Sequence, residues 1–235
     1  MLSCLLIAGA LCSCRDSYPR ELTQADSLLL RGEYDLVDSL LTTYDANASV
    51  RKSTQMYRQL LQMEHLFVNE ELTGRHFSIV DSLCRYYDHW DTQEQHAKAL
   101  CFLGDIYIVN GDNPSALNAF LKGIKIAENC KNGYLLCWLL QEVGDIYLGQ
   151  RMLNECTDYY RKYYDIAVSH RDTLRMALAA NRMGKVFTIS NNVDSTIYYY
   201  QRAIDLAMHT ALSENIIPYC KYSLSDIYIQ IEDFD

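Results

Sequence analysis

Leu103-Gly104-Asp105-Ile106-Tyr107 and Val143-Gly144-Asp145-Ile146-Tyr147 are nearly the same string written twice. Two relatives follow, Met183-Gly184-Lys185-Val186-Phe187 and Leu224-Ser225-Asp226-Ile227-Tyr228. The small residues are separated by steps of 40, 40 and 41. A fixed period of this length is the mark of one supersecondary unit repeated along the chain. A second pattern runs in phase with the first: Ala116, Phe120 and Gly123 lie 12, 16 and 19 residues after Gly104. Cys156 and Tyr160 hold corresponding places in the next repeat, and Thr196, Tyr200 and Ala203 in the third. Glycine removes bulk where two helices cross, and the aromatic residue one turn on is expected to fill the space beside it. A single helix pair cannot bury its own apolar face, so at least about three must stack, and stability becomes a sum over neighbours.

These residues resemble the signature of the tetratricopeptide repeat (TPR), in particular of bacterial TPR lipoproteins with repeats of about 40 residues. The resemblance implies an all-α, right-handed superhelical solenoid of antiparallel helix pairs. Its signature positions would be Gly104, Tyr107, Ala116 and Phe120; Gly144, Tyr147 and Tyr160; Gly184, Phe187, Tyr200 and Ala203; and Ser225 and Tyr228. The usual period of the family is about 34 residues, and the additional length is assigned to longer helices and to the turn around Asn129 to Gly133. Repeats are placed at 97–136, 137–176 and 177–217, with an incomplete one at 218–235. Residues 20–96 read as divergent hairpins: Ala25, Leu28, Gly32-Glu33-Tyr34, Val37 and Leu41 suit a first repeat, and Met56 to Val68 with His76 to Tyr87 a further pair. The chain stops at Glu232-Asp233-Phe234-Asp235, where a turn into the last second helix is expected, so the sequence reads as a fragment or truncated product.

Composition agrees with long helices and short turns, since 235 residues contain only 3 Pro and 10 Gly. Hydrophobic residues at 49% support a sizeable core and exclude a disordered chain. The balance of 21 Lys and Arg against 30 Asp and Glu, a net charge of −9, argues against direct nucleic-acid binding, which draws its affinity from cations that neutralise phosphates.

Residues 1–13 form a short apolar run, too brief for a bilayer-spanning helix of about 20 residues. It suits the apolar region of an export signal. Leu11-Cys12-Ser13-Cys14 resembles a bacterial lipobox, which implies cleavage before Cys14, acylation of that cysteine and a membrane anchor in the bacterial envelope, with 14–19 as a short linker. The remaining cysteines, Cys84, Cys101, Cys130, Cys137, Cys156 and Cys220, lack the spacing of a zinc site and read as core thiols.

Catalytic signatures are absent from the sequence. His65, His76, His89, His96, His170 and His209 show neither an H-E-x-x-H pattern nor i,i+4 pairing, and no nucleophile elbow or phosphate loop occurs. No enzyme, cofactor or metal is expected. Tyr198-Tyr199-Tyr200 reads as core and helix-flank packing rather than a stacking platform. The resemblance places a concave peptide-binding groove on the first helix of each repeat, lined by Phe102, Asp105 and Ile108; Gln141, Asp145 and Leu148; Asn181, Arg182 and Lys185; and Tyr222, Asp226 and Ile229, with Glu142 adjoining. Equivalent aspartates on successive helices would lie roughly 10 Å apart and repel by only about 0.4 kcal/mol when solvated, so Asp105, Asp145 and Asp226 also suit a plain acidic face. Asp-Ser pairs such as Asp26-Ser27 and Asp81-Ser82 read as helix N-caps. The function expected is that of a non-enzymatic scaffold for a protein or peptide. The alternative is the periplasmic sensor half of a signalling or transcriptional regulator.

Overall fold

The computed structural model describes residues 18–31, 33–43, 51–89, 92–130, 132–208, 210 and 213–232. Cys14 and the rest of the expected signal lie outside them, as does His209. Among the described residues there are helices and no strand. The chain divides into two compact units, one ending at Glu70 and the other beginning at Glu71.

In the first unit, α1 (Arg20–Arg31), a 3-10 turn over Tyr34–Leu36, α2 (Val37–Thr43) and α3 (Lys52–Val68) pack around Leu22, Ala25, Leu28, Val37, Leu41 and Leu61. Tyr57 on α3 stacks on Tyr18 with ring centroids 4.0 Å apart and donates its hydroxyl hydrogen to Asp26 at 2.7 Å. Asp26 therefore sits within α1 and accepts from the next layer; it is not the N-cap that its Asp-Ser pair suggested. Asp81 is likewise internal to α4 (Phe77–His89), where it pairs with Arg85 one turn on at 2.5 Å. Only a residue just before the first turn can reach the free N–H groups, and both aspartates lie past that point.

The second unit is a run of antiparallel hairpins. After a 3-10 turn over Gly74–His76, α4 packs on α5 (Gln93–Val109). Then α5 pairs with α6 (Asn113–Ala127), α7 (Gly133–Gly149) with α8 (Leu153–Ser169), α9 (Thr173–Ile189) with α10 (Val193–Ala207), and α10 with α11 (Ser213–Glu232). Helices α5, α7, α9 and α11 begin at Gln93, Gly133, Thr173 and Ser213, an even step of 40 residues. The first hairpin thus starts four residues ahead of position 97. Each of these first helices also touches the next, α5 with α7, α7 with α9 and α9 with α11.

Local chemistry sets the hairpin turns. Gly111, Arg151, Arg171 and Asn191 occupy the same place in the turns after α5, α7, α8 and α9, with φ between 54° and 77°. In each, two N–H groups close back on the helix end: Asp112 N donates to Tyr107 O at 2.9 Å and Met152 N to Tyr147 O at 2.9 Å. This is the left-handed C-terminal cap that glycine accommodates without strain and the arginines do not. Asp112, Asn132, Asp172 and Asn192 then cap the following helices, each accepting from the backbone N–H three residues on at 3.0–3.1 Å. Met152, in the same place before α8, supplies no such bond.

The crossing of the two helices in each hairpin is built as the glycines suggest, but the ring beside each glycine is a different one. A Cβ on Gly104 would meet Phe120 at 2.3 Å, one on Gly144 would meet Tyr160 at 2.4 Å, and one on Gly184 would meet Tyr200 at 2.6 Å. The filler thus comes from the second helix, 16 residues on. Tyr147 and Phe187, one turn after their glycines, point to the hairpin's flank, where Tyr147 stacks on Tyr159 at 5.6 Å and Phe187 on Tyr199 at 5.3 Å; Tyr107 meets Phe77 of α4 edge-on at 5.8 Å. Phe120, Tyr160 and Tyr200 are fully buried, as are Ala116, Cys156, Thr196 and Ala203 beside them. Ser225 and Tyr228 at the last position are exposed. The six described cysteines are free thiols; Cys130 is half-buried and the other five are buried, with burial pushing Cys84, Cys137 and Cys156 up to about 12.

Candidate functional site

The residues after and before each repeat glycine meet along the layer of first helices. Asp145, directly after Gly144 on α7, accepts two bonds from Arg182 on α9, Nε to Oδ1 at 3.2 Å and Nη2 to Oδ2 at 3.1 Å. The hydroxyl of Tyr160 also donates to Oδ1. Burial lowers Arg182, but Asp145, joined by Tyr160 and Tyr163, raises it overall, so the guanidinium is held charged. The relevant neighbour of an aspartate is therefore not the aspartate of the next repeat, as the acidic-face reading assumed. It is the residue 37 positions on, because adjacent first helices meet one turn out of register with the 40-residue period.

The same offset from Asp105 leads to Glu142. Asp105 and Glu142 are half-buried, and the Oδ2 atom of Asp105 is buried without a hydrogen-bond partner. Burial, then the charge of Glu142, raises Asp105 well above the carboxylate range. Burial, then the charge of Asp145, raises Glu142 to about 7, although Arg182 and bonds from Gln141 and Trp138 oppose this. Gln141 Nε2 donates to Glu142 Oε1 at 3.2 Å. Trp138, on the same side of α7, packs edge-on against Phe102 at 5.6 Å.

The other predicted groove residues separate into interior and surface. Phe102 is fully buried, and Asn181 is nearly so, accepting from Cys220 Sγ at 3.4 Å; both belong to the packing between repeats rather than to an accessible lining. Lys185 lies over the Tyr219 ring at 4.6 Å. Ile108, Ile229, Tyr222 and Asp226 are exposed, and Leu148 is half-buried. Tyr160 and Trp138 are site residues that the pattern reading assigned to packing or left out. The signal for Tyr160 was its hydroxyl: Phe120 fills the same space, so only a polar neighbour gives the oxygen a use.

A hollow between α4, α5 and α6 is lined by Tyr87, His96, Leu100 and Lys122, and beside it Arg85 faces Asp81 while His96 faces Asp88 at 3.7 Å. Among the described residues, no three His, Cys, Asp or Glu are placed to hold a metal ion, and no helix is long and apolar enough to cross a membrane.

No protein-family model matches the chain, and no curated protein matches it. Solved structures do. The TPR-sensor-containing signal transduction ATPase with numerous domains (STAND protein) of Pyrococcus horikoshii aligns at a TM-score of 0.60 and 14% identity over 89% of this chain and 35% of that one. The chain thus spans about a third of the ATPase's length. The nearly identical TPR-like repeats of a putative kinesin light chain from Podosopora anserina align at 0.55 and 10% identity, over 81% of this chain and 96% of that one. A variant of those repeats aligns at 0.55 and 10% over 79% and 92%. The protein has the all-α fold of the tetratricopeptide-repeat solenoids, built of antiparallel helix pairs.

Proposed function

We propose that the chain is a non-catalytic scaffold that holds a protein or peptide along α5, α7, α9 and α11, and that it is exported and lipid-anchored through Cys14. The observation that carries the binding reading is the contrast within one helix layer. Asp145 and Arg182 are locked together, while Ile108, Tyr222, Asp226 and Ile229 stand exposed on the same series of helices with apolar and acidic chemistry combined. A preformed helical surface of this kind binds with little ordering cost. Capped random peptides on an array test it: a subset is expected to be retained by the wild-type chain, and Ile108→Lys with Tyr222→Ala is expected to lose them at unchanged helicity. Equal retention by the variant removes the groove assignment.

The anchor rests on the Leu11-Cys12-Ser13-Cys14 string. Protein recovered from bacterial membranes should begin at Cys14 and carry about three acyl chains, with both features lost in Cys14→Ala; an unmodified mass would remove the lipoprotein reading. A second reading, the sensor part of a signalling protein, is favoured by the likeness to the TPR sensor-containing STAND protein, of which this chain matches only a part.

A further inference from the structure

The repeats provide their own comparison. Asp105 and Asp145 each follow the glycine of a first helix, and Glu142 and Arg182 each stand two residues before the glycine of the next. Where α7 meets α9, the position opposite the aspartate is filled by a guanidinium that donates two bonds to it. Where α5 meets α7, the same position holds Glu142, a second carboxylate whose charge acts on Asp105. The Oδ2 atom of Asp105 is buried and unpartnered, whereas Gln141 Nε2 and Trp138 donate to Glu142. Leaving a buried acceptor unmatched is unfavourable, and a cation from outside could match it as Arg182 matches Asp145. Asp145 and Arg182, which both act on Glu142, are paired with each other.

We propose that Asp105 and Glu142 anchor one basic side chain of the bound partner, arginine in preference to lysine; this rests on the scaffold reading above. Arginine is preferred because a planar fork can present separate N–H groups to two neighbouring carboxylates at once, which a single ammonium does less well. A metal ion is a poorer fit, because no third ligand of suitable type is placed with the pair among the described residues. Exposed Ile108, one turn beyond Asp105 on α5, offers apolar contact for the residue beside the arginine.

The test uses the whole chain and an array of capped peptides that are random except at one position, fixed as arginine, lysine, citrulline or glutamate. The arginine set is expected to be retained about tenfold more tightly than the citrulline set, which has the same shape without the charge. In the doubly neutralised variant Asp105→Asn with Glu142→Gln this preference should vanish while the melting temperature holds or rises. Glu142→Gln alone, the milder change, should lose most of it. Equal retention of arginine and citrulline peptides, or a preference that survives in the double variant, would overturn the anchor and leave the scaffold reading standing. Retention of no peptide at all would overturn both.

Discussion

Gly144→Leu is expected to lower the unfolding free energy by about 3 kcal/mol, seen as a lower urea midpoint at unchanged slope. A Cβ at this position would lie 2.4 Å from Cε1 and 2.7 Å from Cδ1 of Tyr160, closer than side chains approach. The ring has nowhere to retreat, since Tyr160 is fully buried and its hydroxyl is tied to Asp145. Forcing α7 away from α8 therefore loosens the helix crossing and the hydroxyl bond together, which adds about 1 kcal/mol to the overpacking cost. Gly149 on the same helix is the control: a Cβ there meets nothing within 4 Å. Gly149→Ala should gain about 0.5–1 kcal/mol, because alanine is the better helix former and narrows the unfolded ensemble. Loss at Gly149, or retention of full stability in Gly144→Leu, would mean that the crossing is not where the repeat register puts it.

The register was legible because it depends on local chemistry repeated at one spacing. Glycine followed 16 residues later by a ring is a pattern of two positions in one hairpin, and the caps at Asp112, Asp172 and Asn192 lie next to the helices they start. What the pattern could not assign was direction. Two aromatic residues per repeat, such as Tyr147 and Tyr160, both suit the space by Gly144, and in the folded chain Tyr160 takes it while Tyr147 stacks on Tyr159. The polar layer was hidden for another reason. Which residues meet across adjacent repeats depends on the offset between first helices, and an offset of one turn converts a row of equivalent aspartates into alternating partners, Asp105 with Glu142 and Asp145 with Arg182. Phe102 and Asn181 were misplaced for the same cause, since a helix packed on both sides buries positions that an isolated hairpin would expose.

The Asp105–Glu142 pair should also reverse the usual pH dependence of a carboxylate. Burial raises both groups, Glu142 to about 7 from an ordinary 4.5, so between those values the folded chain holds a proton that the unfolded chain has released. Folding then takes up protons, and this contribution to stability grows as pH falls through the window and is lost as pH rises past about 7. A change of about 2 kcal/mol is expected from it, discounted for the partial exposure of both residues. His76 and His96 oppose the trend, because burial lowers both below 6.5 and the unfolded chain binds their protons first on acidification. The measurement is therefore a difference: urea unfolding of the wild type and of Asp105→Asn with Glu142→Gln across the same pH series. The variant should be the more stable at about pH 8, where it no longer buries facing negative charges, and its advantage should shrink toward zero as the wild-type pair takes up its proton. A constant difference would show that the carboxylates ionise as freely in the folded chain as in the unfolded one. That result would leave Asp105 solvated rather than enclosed, with no unmet acceptor for a basic side chain to satisfy.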